Sequence, residues 1–334
     1  MTQLNISRRQ FNSRAATGVG TLTLGALGTA AAWAQSWPAR PVSMIAPYPA
    51  GGGVDTVARL IADQLGPRLG QAITVDNKPG AGATIGATAL SRSAPDGYTM
   101  MMGSIVDYAI APHIIKGLPF DMQRDMIPVI EVGLGTVGLI VNADLPVKNL
   151  KELISLAKTK PGELSFASSG VGGLQHLNAE MFKQMAGVDI LHVPYKGTAQ
   201  FMPDLLSGRI PMSIDSIPAH LPNIKAGKTR ALAVASASRS TALPDVPTMS
   251  EAGLPGYESS TNYTIFVPAK TPADIVQKLN QEVNAVLKNS VVIDKLVSLG
   301  IVVRGGTPDN ARARAAAEVE RWAAVIKTGN LTFH

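Results

Sequence analysis

The sequence predicts an α/β fold of two lobes, each a parallel sheet wound on both faces by helices. Three observations carry that expectation. Short apolar runs alternate with helix-period runs, the βαβα rhythm of parallel sheets covered on both faces by helices. About 300 residues remain once an N-terminal segment is set aside, more than one typical core accommodates. Glycine-rich loops recur at the carboxyl ends of the predicted strands, where open α/β sheets bind their ligands.

Residues 1–34 read as an export signal. Ser7-Arg8-Arg9-Gln10-Phe11 has twin-arginine character, a charge-free run of small and apolar residues spans 15–32, and Ala32-Trp33-Ala34 is an A-x-A cleavage site. Asn12 and Ser13 stand where an apolar residue and a lysine are commoner, which leaves the export route more open than export itself. Removing Arg8, Arg9 and Arg14 lowers Lys+Arg from 30 to 27 against 24 acids, so the net charge falls from +6 to +3. A nucleic-acid partner finds no support in that balance. Cysteine is absent, which excludes disulfides, thiolate metal sites and a lipid attachment point. Past the signal, no stretch reaches the roughly 18 consecutive apolar residues of a membrane span.

Along the rest of the chain, a strand at 42–46 precedes a helix at 54–65, 72–75 precedes 84–91, and 98–102 precedes another short helical stretch. The rhythm resumes with 164–167 then 174–185, 190–193 then 199–206, and a strand at 230–235. Val54, Val57, Ala58, Ile61 and Leu65 share one face of the first helix, with Asp55, Arg59 and Asp63 spaced by four opposite. Helices also start at 274 and after Thr307-Pro308-Asp309. Apolar segments at 137–142 and 263–267 read as crossings between lobes. Lobe 1 is then 35–136 with 262–334, and lobe 2 is 137–261.

A strand that feeds through glycines into a helix exposes amide N–H groups without intrahelical partners, and the helix dipole favours an anion there. The arrangement occurs at Gly51-Gly52-Gly53, at Gly80-Ala81-Gly82-Ala83-Thr84, and at Ser168-Ser169-Gly170-Val171-Gly172-Gly173. Nucleotide binding is disfavoured: G-x-x-x-x-G-K-[ST] is absent, and Gly80-x-Gly82-x-x-x-Gly86 misses the dinucleotide spacing by one residue. No G-x-S-x-G nucleophile elbow occurs, and the five histidines have no metal-binding spacing. Ser168 and Ser169 with His176 could be imagined as nucleophile and base, but the serines read better as caps of the helix near Leu174. No enzyme, cofactor or metal is therefore expected.

"YPAGGGVDTVAR" (48–59), "NKPGAGATIG" (77–86) and "APDGYT" (94–99) together resemble the Bug family, solute-binding receptors of tripartite tricarboxylate transporters. The match continues through "FASSGVGGLQHLNAEMF" (166–182), "HVPYKG" (192–197), "DLLSGRI" (204–210), "LPDVPTMSEAGLPGYE" (243–258) and "VPAKTP" (267–272), so it spans nearly the whole mature chain in order. The resemblance implies a periplasmic binding protein of type II-like fold, two doubly wound lobes with a ligand cleft between them, that holds a small carboxylated solute through backbone amides and water from both lobes. Carried over by motif, the first-lobe contacts are Tyr48, Ala50, Gly51, Gly52, Gly53 and Asp55, with Gly82, Ala83 and Thr84. The second-lobe contacts are Ser168, Ser169, Gly170, Gly172, Gly173, Tyr195, Lys196, Gly197, Thr198 and Asp215.

In that picture the amides of the first and third glycine loops each take one carboxylate, and Thr84, Ser168, Ser169 and Thr198 offer hydroxyls. Tyr195 supplies an aromatic wall, and Asp215 suits a hydroxyl, water or ammonium. Each residue also has a plainer role open to it: Asp55 in a first helical turn, Asp215 as a strand-end cap, Lys196 as a solvated turn lysine, His192 as a structural histidine. Where many members of the family carry a Trp-Tyr-Gly-like triplet, this chain has Asn262-Tyr263-Thr264. If Asn262 faces the cleft, a more polar ligand is implied. The expected role is capture of a di- or tricarboxylate, acidic amino acid or aromatic acid by a monomer that closes over it and delivers it to the membrane subunits of the transporter. Alternatives are a ligand-sensing receptor for a signalling system or a periplasmic serine hydrolase.

Overall fold

The computed structural model describes residues 37–115 and 117–328. The export signal expected at residues 1–34 lies outside the described residues. β1 (Val42–Ala46) leads into α1 (Gly53–Leu69), β2 (Ile73–Asn77) into α2 (Thr84–Ser91), and β3 (Thr99–Gly103) into α3 (Ile105–Ile114). A short α4 (Met122–Asp125) precedes β4 (Met126–Asn142) and α5 (Leu150–Thr159). Then come β5 (Ser165–Ser168), α6 (Leu174–Ala186), β6 (Leu191–Pro194), α7 (Thr198–Leu206), β7 (Met212–Ser216), α8 (Ile217–Lys225) and β8 (Thr229–Val234). β9 (Ser260–Pro268), α9 (Ala273–Val286), α10 (Ser290–Ser298), β10 (Ile301–Val303) and α11 (Pro308–Thr328) follow.

The order across the sheet is β2-β1-β3-β9-β4-β7-β5-β6, with β8 and β10 also on β4. β1 pairs in parallel with β2 and β3, and β5 in parallel with β6 and β7. The crossing strands differ from the all-parallel expectation. β9 is antiparallel to β3, and β4 is antiparallel to β9, β7 and β8. The reason is topological: β4 carries the chain out of the first half and β9 brings it back, so the two must run in opposite directions. The crossing expected at 137–142 is the second part of a longer strand, whose first part, residues 126–136, pairs with β9.

α1 forms where its apolar positions were spaced for it, with Val57, Ala58, Ile61 and Leu65 each fully buried. It runs four residues past the predicted end, to Gly70, whose left-handed φ of 69° lets its N–H reach the Gly66 and Pro67 carbonyls. Burying each large apolar side chain contributes roughly 1.5–3 kcal/mol before conformational entropy is set against it.

Two apolar cores lie on either side of the crossing strands. Val57, Ile61, Val132, Tyr263 and Leu279 belong to one, and Leu139, Phe166, Phe182 and Ile214 to the other. α3 and α11 serve both halves. Ile105 and Tyr108 pack beside Ile45 and Phe266, whereas Val106, Ala109 and Ile110 enter the core of Phe166 and Leu177. Along α11, Ala315 joins the first set and Trp322 the second, although the sequence placed that helix with lobe 1 alone. α3 therefore sits on the seam, and the one acid it carries is delivered there.

Candidate functional site

Where the two halves meet lies a partly open cavity of about 40 Å³. That is room for about three waters, or for a compact solute that displaces them. The first half contributes Tyr48, Pro49, Gly52, Gly53, Val54 and Asp107 to the wall, and the second Ser169, Leu174, Gln175, Asn178, Thr198, Asp215 and Ser216. The crossing strands add Val137, Thr261 and Tyr263. No Lys, Arg or His stands on this wall.

The first glycine loop is braced from behind by Asp55. This buried carboxylate accepts from the Gly51 amide at 2.9 Å, from Asn77 Nδ2 at 2.8 Å and from Arg59 Nε at 3.0 Å. Burial pushes its pKa up, but these donors outweigh burial and hold it below the ordinary carboxylate value. Asp55 thus shapes the loop from outside the cavity, paired with Arg59 four residues on as their spacing suggests. Gly52 N–H is spent on the Pro49 carbonyl at 3.4 Å, while the amides of Gly53 and Val54 have no partner among the described residues. They open α1 at the cavity wall with the positive end of its dipole. Position 53 is tight for any larger residue, because a Cβ there would lie 3.1 Å from Tyr263 Oη and 3.2 Å from Ser216 Oγ. Those two hydroxyls are bonded to each other at 2.8 Å.

The third glycine loop is arranged differently from expectation. Gly170 N–H donates to Ser168 Oγ at 3.1 Å, Gly172 N–H to His176 Nδ1 at 3.2 Å, and Gly173 N–H to the Gly170 carbonyl at 3.4 Å. The serines do not cap α6: its N-cap is Gly173, without a side-chain cap bond. The acceptor at its start comes from the other half of the molecule. Asp107 Oδ1 accepts from the Leu174 amide at 3.0 Å, and its Oδ2 accepts from Tyr48 Oη at 2.6 Å. Burial pushes Asp107 up to about 6, against the two hydrogen bonds that favour its charged form, and pushes the Tyr48 phenol well above its ordinary value. The protein's own carboxylate therefore occupies the helix terminus that the sequence reserved for a ligand.

Asp215 is a fully engaged node. It accepts from Thr198 Oγ1 at 2.6 Å, His220 Nε2 at 2.8 Å, the Ser216 amide at 2.6 Å, and Gln175 Nε2. Burial raises its pKa, but the bonds from His220, Thr198 and Ser216 prevail and leave it lowered. With its four lone-pair directions taken, it orients Gln175 and Thr198 rather than meeting a solute itself. Gln175 Oε1 and both amide atoms of Asn178 are buried without a hydrogen-bond partner among the described residues. Such groups cost about 1–3 kcal/mol each unless something pairs with them.

Six of the residues expected at the site, Tyr48, Gly52, Gly53, Ser169, Thr198 and Asp215, line the cavity. Gly82, Gly170, Gly173 and Gly197 instead form the seam between the lips. A Cβ on Gly82 would stand 3.0 Å from the Gly173 nitrogen, and one on Gly197 would overlap the Pro49 ring. Gly51, Ala83, Thr84 and Gly172 are absent from the wall, the Thr84 hydroxyl being spent on the Ala81 carbonyl at 2.7 Å. Ala50 and Lys196 are exposed, and Tyr195 packs on Phe201 with its hydroxyl on Asp204 at 2.6 Å. Ser168 is wholly buried off the cavity and bonds His192 Nε2 at 2.6 Å, not His176. Burial lowers the two stacked histidines, His176 to about 3 and His192 to about 4. His192 therefore braces the loop, and Ser168 is not presented to a substrate.

Asn262 does not face the cavity. It donates to the buried Glu131 at 2.8 Å, while its neighbours Thr261 and Tyr263 point the other way along the strand. Asp107, Gln175, Asn178 and Ser216 were missed from sequence. For Asp107 a signal existed, since it is the one charged residue between Gly97 and Pro112. No group of three or more His, Asp or Glu among the described residues is placed to hold a metal ion.

A family model described as the tripartite tricarboxylate transporter family receptor matches residues 57–331. Three solved structures are similar over nearly their whole length. Rpa4515 of R. palustris, solved with adipate, is 38% identical with a TM-score of 0.85, covering 88% of this chain and 98% of that one. The periplasmic binding protein BugD is 34% identical with a TM-score of 0.85, covering 88% and 99%. MatC (Rpa3494) from Rhodopseudomonas palustris, with bound malate, is 32% identical with a TM-score of 0.83, covering 87% and 100%.

Proposed function

The chain belongs to the receptor family of tripartite tricarboxylate transporters, and on that premise we propose that it captures a small carboxylated solute in the periplasm and hands it to the membrane subunits of such a transporter. The observation that carries the reading is the pair of partnerless amides, Gly53 and Val54, opening the positive end of α1 onto a cleft between the two halves. A solute carboxylate satisfies those donors, and the Ser216–Tyr263 hydroxyl pair beside them extends the cradle. Asn178 and Gln175 read the rest of the molecule. Because the wall comes from both halves of the sheet, a bound solute favours the closed form over the open one, which is the condition for a ligand to shift that equilibrium. The export pattern in residues 1–34 and the adipate and malate of the related proteins are in keeping with this role.

The test is a thermal-shift screen of the mature protein against di- and tricarboxylates, amino acids and aromatic acids, followed by calorimetry of the hits. Saturable binding of at least one carboxylate, lost on Gly53→Val, is the expected result. A screen in which no carboxylate binds, or in which binding survives Gly53→Val, would sink the reading.

A further inference from the structure

The charges on the cavity wall say more about the solute than the amides do. Two carboxylates stand there: Asp215 is paired with His220 Nε2 at 2.8 Å, whereas Asp107 has no cationic side chain in contact with it. Asp215 is saturated by four donors. Asp107 is not: it is 1% exposed, accepts only from Tyr48 and the Leu174 amide, and keeps unused lone pairs on a wall that also holds the unpartnered amide of Asn178. It also occupies the start of α6, so the dipole of that helix is already answered by the protein itself. A solute carboxylate placed at this end of the cavity would meet a like charge at a filled helix terminus.

We propose that Asp107 is the specificity-determining residue of this cavity and that the solute is a zwitterion, a small amino-carboxylic acid whose ammonium pairs with Asp107 while its carboxylate lies on the α1 amides. This rests on the reading of the cavity as a carboxylate site. An ammonium donates where Asp107 still accepts, and the pair is charge-assisted in a site that water leaves on closure. Asn178 and Gln175 then need only neutral partners on the rest of the solute. A dicarboxylate matched in length offers the same first contact and the wrong second one, so discrimination arises from repulsion as well as attraction.

The experiment is calorimetric titration of the mature protein with matched pairs: 3-aminopropanoate against succinate, 4-aminobutanoate against glutarate, and alanine against propanoate. At least one amino acid is expected to bind about tenfold or more tightly than its partner. Asp107→Asn, which keeps the shape and loses the charge, should shrink that ratio by about tenfold. Tyr48→Phe keeps the charge, and should weaken both members of a pair while preserving their ratio. Should Asp107→Asn not fold, the wild-type ratios and Tyr48→Phe still decide. Dicarboxylates that bind while amino acids do not would overturn this inference and leave the carboxylate reading standing. A ratio unmoved by Asp107→Asn would also overturn it. If neither class binds, the carboxylate reading falls and this inference with it.

Discussion

Replacing Gly82 by alanine separates closure from folding. Gly82 has a left-handed φ of 58°, and a Cβ there would lie 3.0 Å from the Gly173 nitrogen, 3.2 Å from the Val171 carbonyl oxygen and 3.3 Å from the Gly172 carbonyl carbon. All three belong to the opposite lip. The backbone conformation is strained for alanine by roughly 1 kcal/mol whether the lips are together or apart, so it lowers the melting temperature of both forms. The steric term exists only when the lips meet. Overpacking of this kind costs about 1–3 kcal/mol, which translates into affinity weakened by about 5- to 150-fold. Calorimetry on the tightest hit from the solute screen reads that loss, and small-angle scattering with saturating solute reads the compaction. The expected result is weaker binding and less compaction at the same solute concentration, with a melting temperature lowered by a few degrees. Unchanged affinity with a lowered melting temperature would refute the reasoning, because the lips would then not need to meet for binding.

Asn178→Leu should raise the stability of the empty protein by about 1–3 kcal/mol, since both of its buried amide atoms lack partners, and should abolish solute binding; denaturant melts and calorimetry on one preparation check both. Asn262→Leu should leave the solute profile unchanged while destabilising by about 1 kcal/mol, because it removes the 2.8 Å donor to the buried Glu131 carboxylate and leaves it to Arg314 alone at 3.1 Å. A pH series tests Asp107, whose pKa burial lifts from 3.8 to about 6. Between those values the folded form holds the proton more tightly than the unfolded one, so the stabilisation is complete below about pH 4 and is lost as pH rises through about 6. That difference corresponds to about 3 kcal/mol at most. Relative to Asp107→Asn, wild-type stability should fall over that window, and a flat difference would count against a buried Asp107.

The periodic parts of the fold were legible. β1 and α2 coincide with their predicted bounds, because an apolar run ending at glycines and a helix-period run are local signals. β4 was only half seen. Pro128 and the glycines at 133, 135 and 138 break its pattern, and its continuity comes from four partner strands distant in sequence. At the site, the first glycine loop was readable because its chemistry is that of a loop feeding its own helix. The third was misread because its amides are answered by partners that sequence does not place together: His176 by the turn of a helix, and Asp107 across 67 residues. Asp215 could be suspected but not interpreted, since its four donors come from α6, α7 and α8 as well as its own strand end. The face that Asn262 takes was left open by the sequence, because a single residue's shift in strand register inverts it.

The most direct measurement is a crystal structure of the mature protein with its tightest-binding solute. The expected result is a carboxylate within about 3 Å of the Gly53 and Val54 amides, between the two halves of the sheet. A solute whose carboxylate lies elsewhere, with those two amides still unpartnered, would contradict the central claim that the start of α1 is the anion site.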